Sequence, residues 1–106
     1  MLTAREGVRA VEMFPGVVRR TLNSGANATL VEVTIAAGET VPEHSHPHEQ
    51  IGYLVSGRLR FKIGDEERVL NPGDSWLAPG GVPHVVTALE DAVAIDVFSP
   101  VRHEYL

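Results

Sequence analysis

The chain contains no cysteine. Disulfide stapling and thiolate metal sites are therefore excluded, and a reducing compartment suits it. No stretch approaches the roughly 18 consecutive apolar residues of a membrane-spanning helix. The opening segment MLTAREGVRAVEMF carries charges at Arg5, Glu6 and Arg9 and has no apolar run, so it does not read as a secretory signal. These absences lead to an expected cytoplasmic location without membrane association. Basic residues are also in short supply. The net charge is −5 at pH 7, the wrong sign for the basic face that nucleic-acid binding uses. Arg58, Arg60 and Lys62 recur at every second position, but Asp65, Glu66 and Glu67 follow in the next turn, which reads as a solvated face. Helical periodicity is missing after residue 16, and there is no linker, low-complexity stretch or internal repeat. At 106 residues the chain is expected to form one domain, spanning 1–106.

What the chain does have is regular punctuation. Turn-forming clusters occur at 23–27 (NSGAN), 36–39 (AAGE), 56–57 (SG), 64–66 (GDE), 71–74 (NPGD), 79–83 (PGGVP) and 89–92 (LEDA). Short runs rich in Val, Ile, Leu and Thr lie between them, the pattern of an all-β antiparallel sandwich or barrel. Residues 16–106 are expected to form the barrel, and residues 1–15 an edge strand or an arm reaching a partner subunit. In QIGYLV, residues 50–55, alternation puts Gln50, Gly52 and Leu54 on one face and Ile51, Tyr53 and Val55 on the other. Both faces are largely apolar and need cover, so the barrel interior is assigned to one and a second copy of the chain, in a homodimer, to the other.

Three of the five histidines fall within residues 44–48. Same-face positions on a strand recur every second residue, so His44 and His46 can chelate one metal ion. Gln50 shares their parity and can add an amide oxygen, although Pro47 bends the chain between them. His84 is the candidate for a further ligand, because Pro79, Gly80, Gly81 and Pro83 build a rigid loop that delivers it. His48 is expected to be a supporting or exposed histidine rather than a ligand, and His103 to be solvated. Trp76 reads as core packing or dimer interface. Asp96 stands in the otherwise apolar AVAIDVF, either as a buried acid paired with Arg102 or Arg60, or as an acid lining a cavity with a raised pKa suited to proton transfer. Arg102 can be a surface arginine or a carboxylate-binding one.

Gly38–Gly57 reads G-x5-H-x-H-x3-Q-x6-G and Gly73–His84 reads G-x5-P-x-G-x2-H, with 15 residues between them. These resemble the two signature motifs of the cupin superfamily, whose fold is a double-stranded β-helix or jelly roll. Gln50 replaces the usual Glu, and Ala88 stands where the second motif usually ends in Asn. GVVRRTL, HSHPHEQIGYLVSGRLRF and the closing DVFSPVRHEYL are similar to the small pectin-degradation cupins, which convert 4,5-unsaturated uronate monosaccharides to linear ketonised sugars. The resemblance implies a metal held by His44, His46, Gln50 and His84, catalytic or substrate-binding roles for Asp96 and Arg102, and a pocket aromatic at Phe98. It favours the proton-transfer reading of Asp96. A His3Gln set cancels none of a divalent ion's charge and so suits an anionic substrate such as a carboxylated sugar. One divalent transition metal ion is expected, with Zn, Ni, Mn and Fe all compatible. The expected function is therefore metal-dependent ring opening and tautomerisation of unsaturated uronates. Oxygen-dependent dioxygenase chemistry, and a non-catalytic small-molecule-binding or sensor role, are the alternatives on the same scaffold.

Overall fold

The runs between turn clusters are dominated by residues that fit a pleated, half-buried surface, and they form the strands. The computed structural model describes residues 1–106. Its eight strands are β1 (Ala10–Phe14), β2 (Val17–Ser24), β3 (Thr29–Ile35), β4 (Thr40–His44), β5 (Glu49–Ile63), β6 (Glu66–Leu70), β7 (Ser75–Ala78) and β8 (His84–Ser99). Two 3-10 turns, at Arg5–Gly7 and His103–Tyr105, complete the secondary structure. Two of the turn clusters do not end a strand. The chain passes through SG at 56–57 inside β5 and through LEDA at 89–92 inside β8. The reason is visible in the pairing: the β5–β8 register shifts between Leu54 and Leu59, so these residues form bulged corners within two long strands.

Those corners create the jelly roll. All strand pairs are antiparallel, in the order β1-β2-β3-β8-β5-β6, with β4 on β8 and β7 on β5. The early half of β8 pairs with β4 and the late half with β3, while the early half of β5 pairs with β7 and the late half with β6. Each long strand thus serves both halves of the barrel. Residues 10–14 form an edge strand on β2.

Inward positions alternate as strand geometry requires. Gln50, Gly52 and Leu54 of β5 are buried, and Ile51, Tyr53 and Val55 are about half exposed. The core includes Val17, Val31, Leu54, Leu59, Phe61 and Trp76. Burial of such side chains contributes about 1.5–3 kcal/mol each. It supports a much less favourable row of buried polar residues at one end of the barrel: His46, His48, Gln50, His84, Asp96 and Arg102.

Candidate metal centre

β4 ends at His44 and β8 begins at His84, and these two residues are register partners. His46 lies in the bend between β4 and β5, so its approach to His44 comes from the loop rather than from the spacing of one continuous strand. The Pro-Gly-Gly loop holds that bend in place. Gly81 N–H donates to the His46 carbonyl at 2.8 Å, and a Cβ on Gly80 would sit 2.5 Å from the Pro47 carbonyl oxygen. Only glycine lets the two loops pack this closely.

The three imidazoles form one cluster. Ring centroids are 4.3 Å apart for His44 and His84, 5.0 Å for His46 and His84, and 5.6 Å for His44 and His46. One ligand nitrogen from each lies within 4.8 Å of the others. Each Nδ1 meets a backbone carbonyl: Pro42 for His44 at 2.8 Å, His48 for His46 at 3.0 Å and Val82 for His84 at 3.0 Å. A carbonyl only accepts, so each Nδ1 is the donor, which in the neutral form of a ring leaves the lone pair on Nε2. Burial pushes His84 down to about pH 4 and is also the main cause lowering His46, so both stay neutral and ready to ligate.

Gln50 closes the set. Its Oε1 lies 3.1 Å from His46 Nε2, and its Nε2 donates to Asp96 Oδ1 at 2.9 Å. The second contact fixes the amide orientation, so an oxygen lone pair faces an imidazole lone pair. Two acceptors in that position are repulsive unless a cation lies beside both. Ligands about 2.1 Å from one ion and at right angles to each other are about 3 Å apart, which matches. His84 Nε2 is also buried without a hydrogen-bond partner. A facing pair of acceptors and an orphaned imidazole nitrogen are what a metal ion would satisfy, so the donor set fits one.

Asp96 sits directly behind Gln50. Trp76 Nε1–H donates to the same Oδ1 at 2.8 Å, and no protein donor engages Oδ2. Asp96 is paired with neither Arg102 nor Arg60. Burial without a counter-charge in contact pushes its carboxyl up to about 6, against the pull of the two hydrogen bonds and of the Arg102 charge. Trp76 reaches it because β5 carries Gly52 opposite both residues, and a Cβ there would lie 2.1 Å from the indole. Trp76 is therefore core packing, as one reading of the sequence had it, with a polar duty that the sequence does not signal.

Arg102 is buried rather than on the surface, and its charge acts on His46, His84 and Asp96. Phe98 packs edge-on to His46 at 5.6 Å. His48 is buried, supplies its carbonyl to His46 and leaves its own Nδ1 unpartnered, and His103 is exposed. A cavity of about 50 Å³ opens beside the histidine cluster. His44, Gln50, His84, Asp96 and Phe98 line it, joined by Tyr105, which the sequence reading leaves aside. Tyr105 lies in the closing segment that carries the family resemblance, but it follows Arg102 outside any strand periodicity, so nothing in that segment singles it out.

A β jelly roll with a three-histidine cluster at one end of the barrel defines a cupin, and the chain belongs to the Cupin_2 family, the cupin domain, which matches residues 31–98. Within it, the chain is 34% identical over 97 residues to the pectin degradation protein KdgF of Dickeya dadantii, covering 90% of this chain and 88% of that one. The solved structure of KdgF from Halomonas sp. superposes with a TM-score of 0.94 at 32% identity, over 100% of both chains. An RmlC-like cupin from Shewanella frigidimarina superposes at 0.90 with 25% identity, again over 100% of both.

Proposed function

We propose that this protein is a metal-dependent isomerase that opens 4,5-unsaturated uronate monosaccharides to linear keto sugars. The observation that carries the proposal is the chain of contacts from the histidine cluster through Gln50 to Asp96, a buried carboxyl raised to about 6 beside the cavity. Similarity to a pectin degradation protein over 90% of the chain supports the choice of substrate.

His44, His46, His84 and Gln50 would hold one divalent transition metal ion, with Zn, Ni, Mn and Fe all suited to imidazole and amide donors. Such an ion supplies a net positive centre for the uronate carboxylate and for the oxygen charge that builds up during opening. Arg102 binds and orients the acid group of the sugar. Asp96 takes the proton from the C1 hydroxyl as the bond from C1 to the ring oxygen breaks. C1 becomes the aldehyde, and the ring oxygen keeps the bonding pair as an enolate at C5. The proton held by Asp96 then goes to C4, which leaves a ketone at C5. Atoms balance and no oxidant is used. A carboxyl with a pKa near 6 is matched to both halves of this transfer. Phe98 walls the pocket.

Asp96→Asn tests the assignment. The amide keeps the acceptor for Trp76 and Gln50 but cannot exchange a proton. Fold and metal content should persist while turnover falls by about 100- to 10,000-fold. A folded, metal-bound and fully active variant removes Asp96 from the mechanism.

We further propose that the protein is a homodimer. Ile51, Tyr53, Leu77 and Val97 are exposed side by side on β5, β7 and β8. A contiguous apolar sheet face is what a second copy would cover.

A further inference from the structure

Tyr105 lines the same cavity, and Arg102 stacks against its ring. The guanidinium carbon of Arg102 lies 4.7 Å from the Phe98 ring centre and 3.9 Å from that of Tyr105. The two rings meet edge-on, 5.6 Å apart at 89°. Arg102 is thus clamped between aromatics in a buried position. Its Nε donates to Glu104 at 2.9 Å, and neither Nη1 nor Nη2 forms a hydrogen bond or ion pair within the protein. Those terminal groups are the ones that form a two-pronged contact with a carboxylate.

Tyr105 is itself anchored from across the barrel mouth. Its carbonyl accepts from Arg19 Nη1 at 2.9 Å and from the Thr21 hydroxyl, both on β2, and the Arg19 guanidinium carbon lies 4.4 Å from its ring. A free arginine side chain has about 2 kcal/mol of rotamer freedom to lose on binding. The clamp removes much of that freedom before a ligand arrives. It also opposes a specific alternative. Glu104 is largely exposed and already holds Nε. Without the Tyr105 ring, the guanidinium can turn to Glu104 with its terminal nitrogens as well.

We propose that Tyr105 is a positioning residue, which holds the Arg102 guanidinium against Phe98 with its terminal nitrogens free for the carboxylate of the substrate. This rests on the uronate reading of the site. The ring face does the work, so Tyr105→Phe should match wild type. Tyr105→Ala should raise KM for 4,5-unsaturated galacturonate about tenfold, the loss of a buried cation–π contact, with kcat within about threefold. Tyr105→Leu, which keeps apolar bulk and the cover over the core, carries the same expectation.

The deciding experiment is a double-mutant cycle in metal-loaded protein. In an Arg102→Ala background, Tyr105→Ala should change KM no further. The same cycle is read by calorimetry with D-galacturonate, a saturated uronate that binds without being turned over. If wild type binds galacturonate but leaves the unsaturated sugar unreacted, the isomerase reading fails alone, and the calorimetric cycle still judges Tyr105. An undiminished effect of Tyr105→Ala in the Arg102→Ala background overturns the proposal. So does a Tyr105→Phe variant as impaired as Tyr105→Ala, or a wild type with no affinity for galacturonate.

Discussion

Folding holds His84 neutral down to about pH 4, whereas the unfolded imidazole takes a proton near pH 6.5. Acidifying the metal-free protein across that window therefore destabilises it, because the unfolded chain binds the extra proton. Asp96 acts with the opposite sign. The fold holds its proton up to about pH 6, while the unfolded acid releases it near 3.8. Its ionised form costs stability above pH 6, and that cost is relieved as pH falls toward 3.8. At about 1.4 kcal/mol per pH unit, each displacement is on the order of 3 kcal/mol. Asp96→Asn removes one side of this opposition. The metal-free variant should melt several degrees above wild type at pH 7, and the two should converge near pH 4. A variant that melts lower at pH 7 would show that the ionised carboxylate is a structural asset, contrary to its proposed role. The gathering of His44, His46, His84 and Gln50 is legible in the sequence, from the histidine spacing, the shared parity of Gln50 and the Pro-Gly loop before His84. The link between Trp76 and Asp96 is not, because it depends on both facing Gly52 across strands distant in sequence.

Among the elements, the loop from Pro79 to Pro83 and the bend from His44 to Glu49 behave as one unit. The hydrogen bond from Gly81 to His46 and the close approach of Gly80 to Pro47 set where His46 stands relative to His84. Gly80→Ala would push a methyl into the Pro47 carbonyl and shift the bend. Metal affinity should fall by about 10- to 100-fold, the range seen when a ligand's supporting contacts are lost. Competition with a coloured chelator measures it, and an unchanged affinity would mean that the two loops are independent. The β character of the runs and five of the seven turn clusters can be read directly from composition. The corners at 56–57 and 89–92 cannot, because Ser-Gly or Glu-Asp in a bulge has the same local chemistry as in a chain reversal. Only pairing with a partner strand on both sides decides between them.

For the molecule as a whole, the outward face of β5 and the inward site share one strand: Gln50 points at the histidines while Ile51 and Tyr53 point out. If that face joins two copies, Tyr53→Lys should give a monomer by light scattering at micromolar concentration. A wild type with the mass of one chain would dismiss the dimer. The antiparallel barrel is legible from the spacing of turn signals, and the jelly roll in particular follows from the resemblance of the two motifs to those of cupins. The choice of chemistry is less so, since the same barrel admits isomerases, dioxygenases and binders. The most direct test is the ultraviolet absorbance of 4,5-unsaturated galacturonate with wild-type protein under nitrogen. The account predicts that absorbance disappears at a rate proportional to protein, that chelation stops it and that a divalent transition metal restores it. Absorbance that declines only at its uncatalysed rate with metal-loaded protein would contradict it.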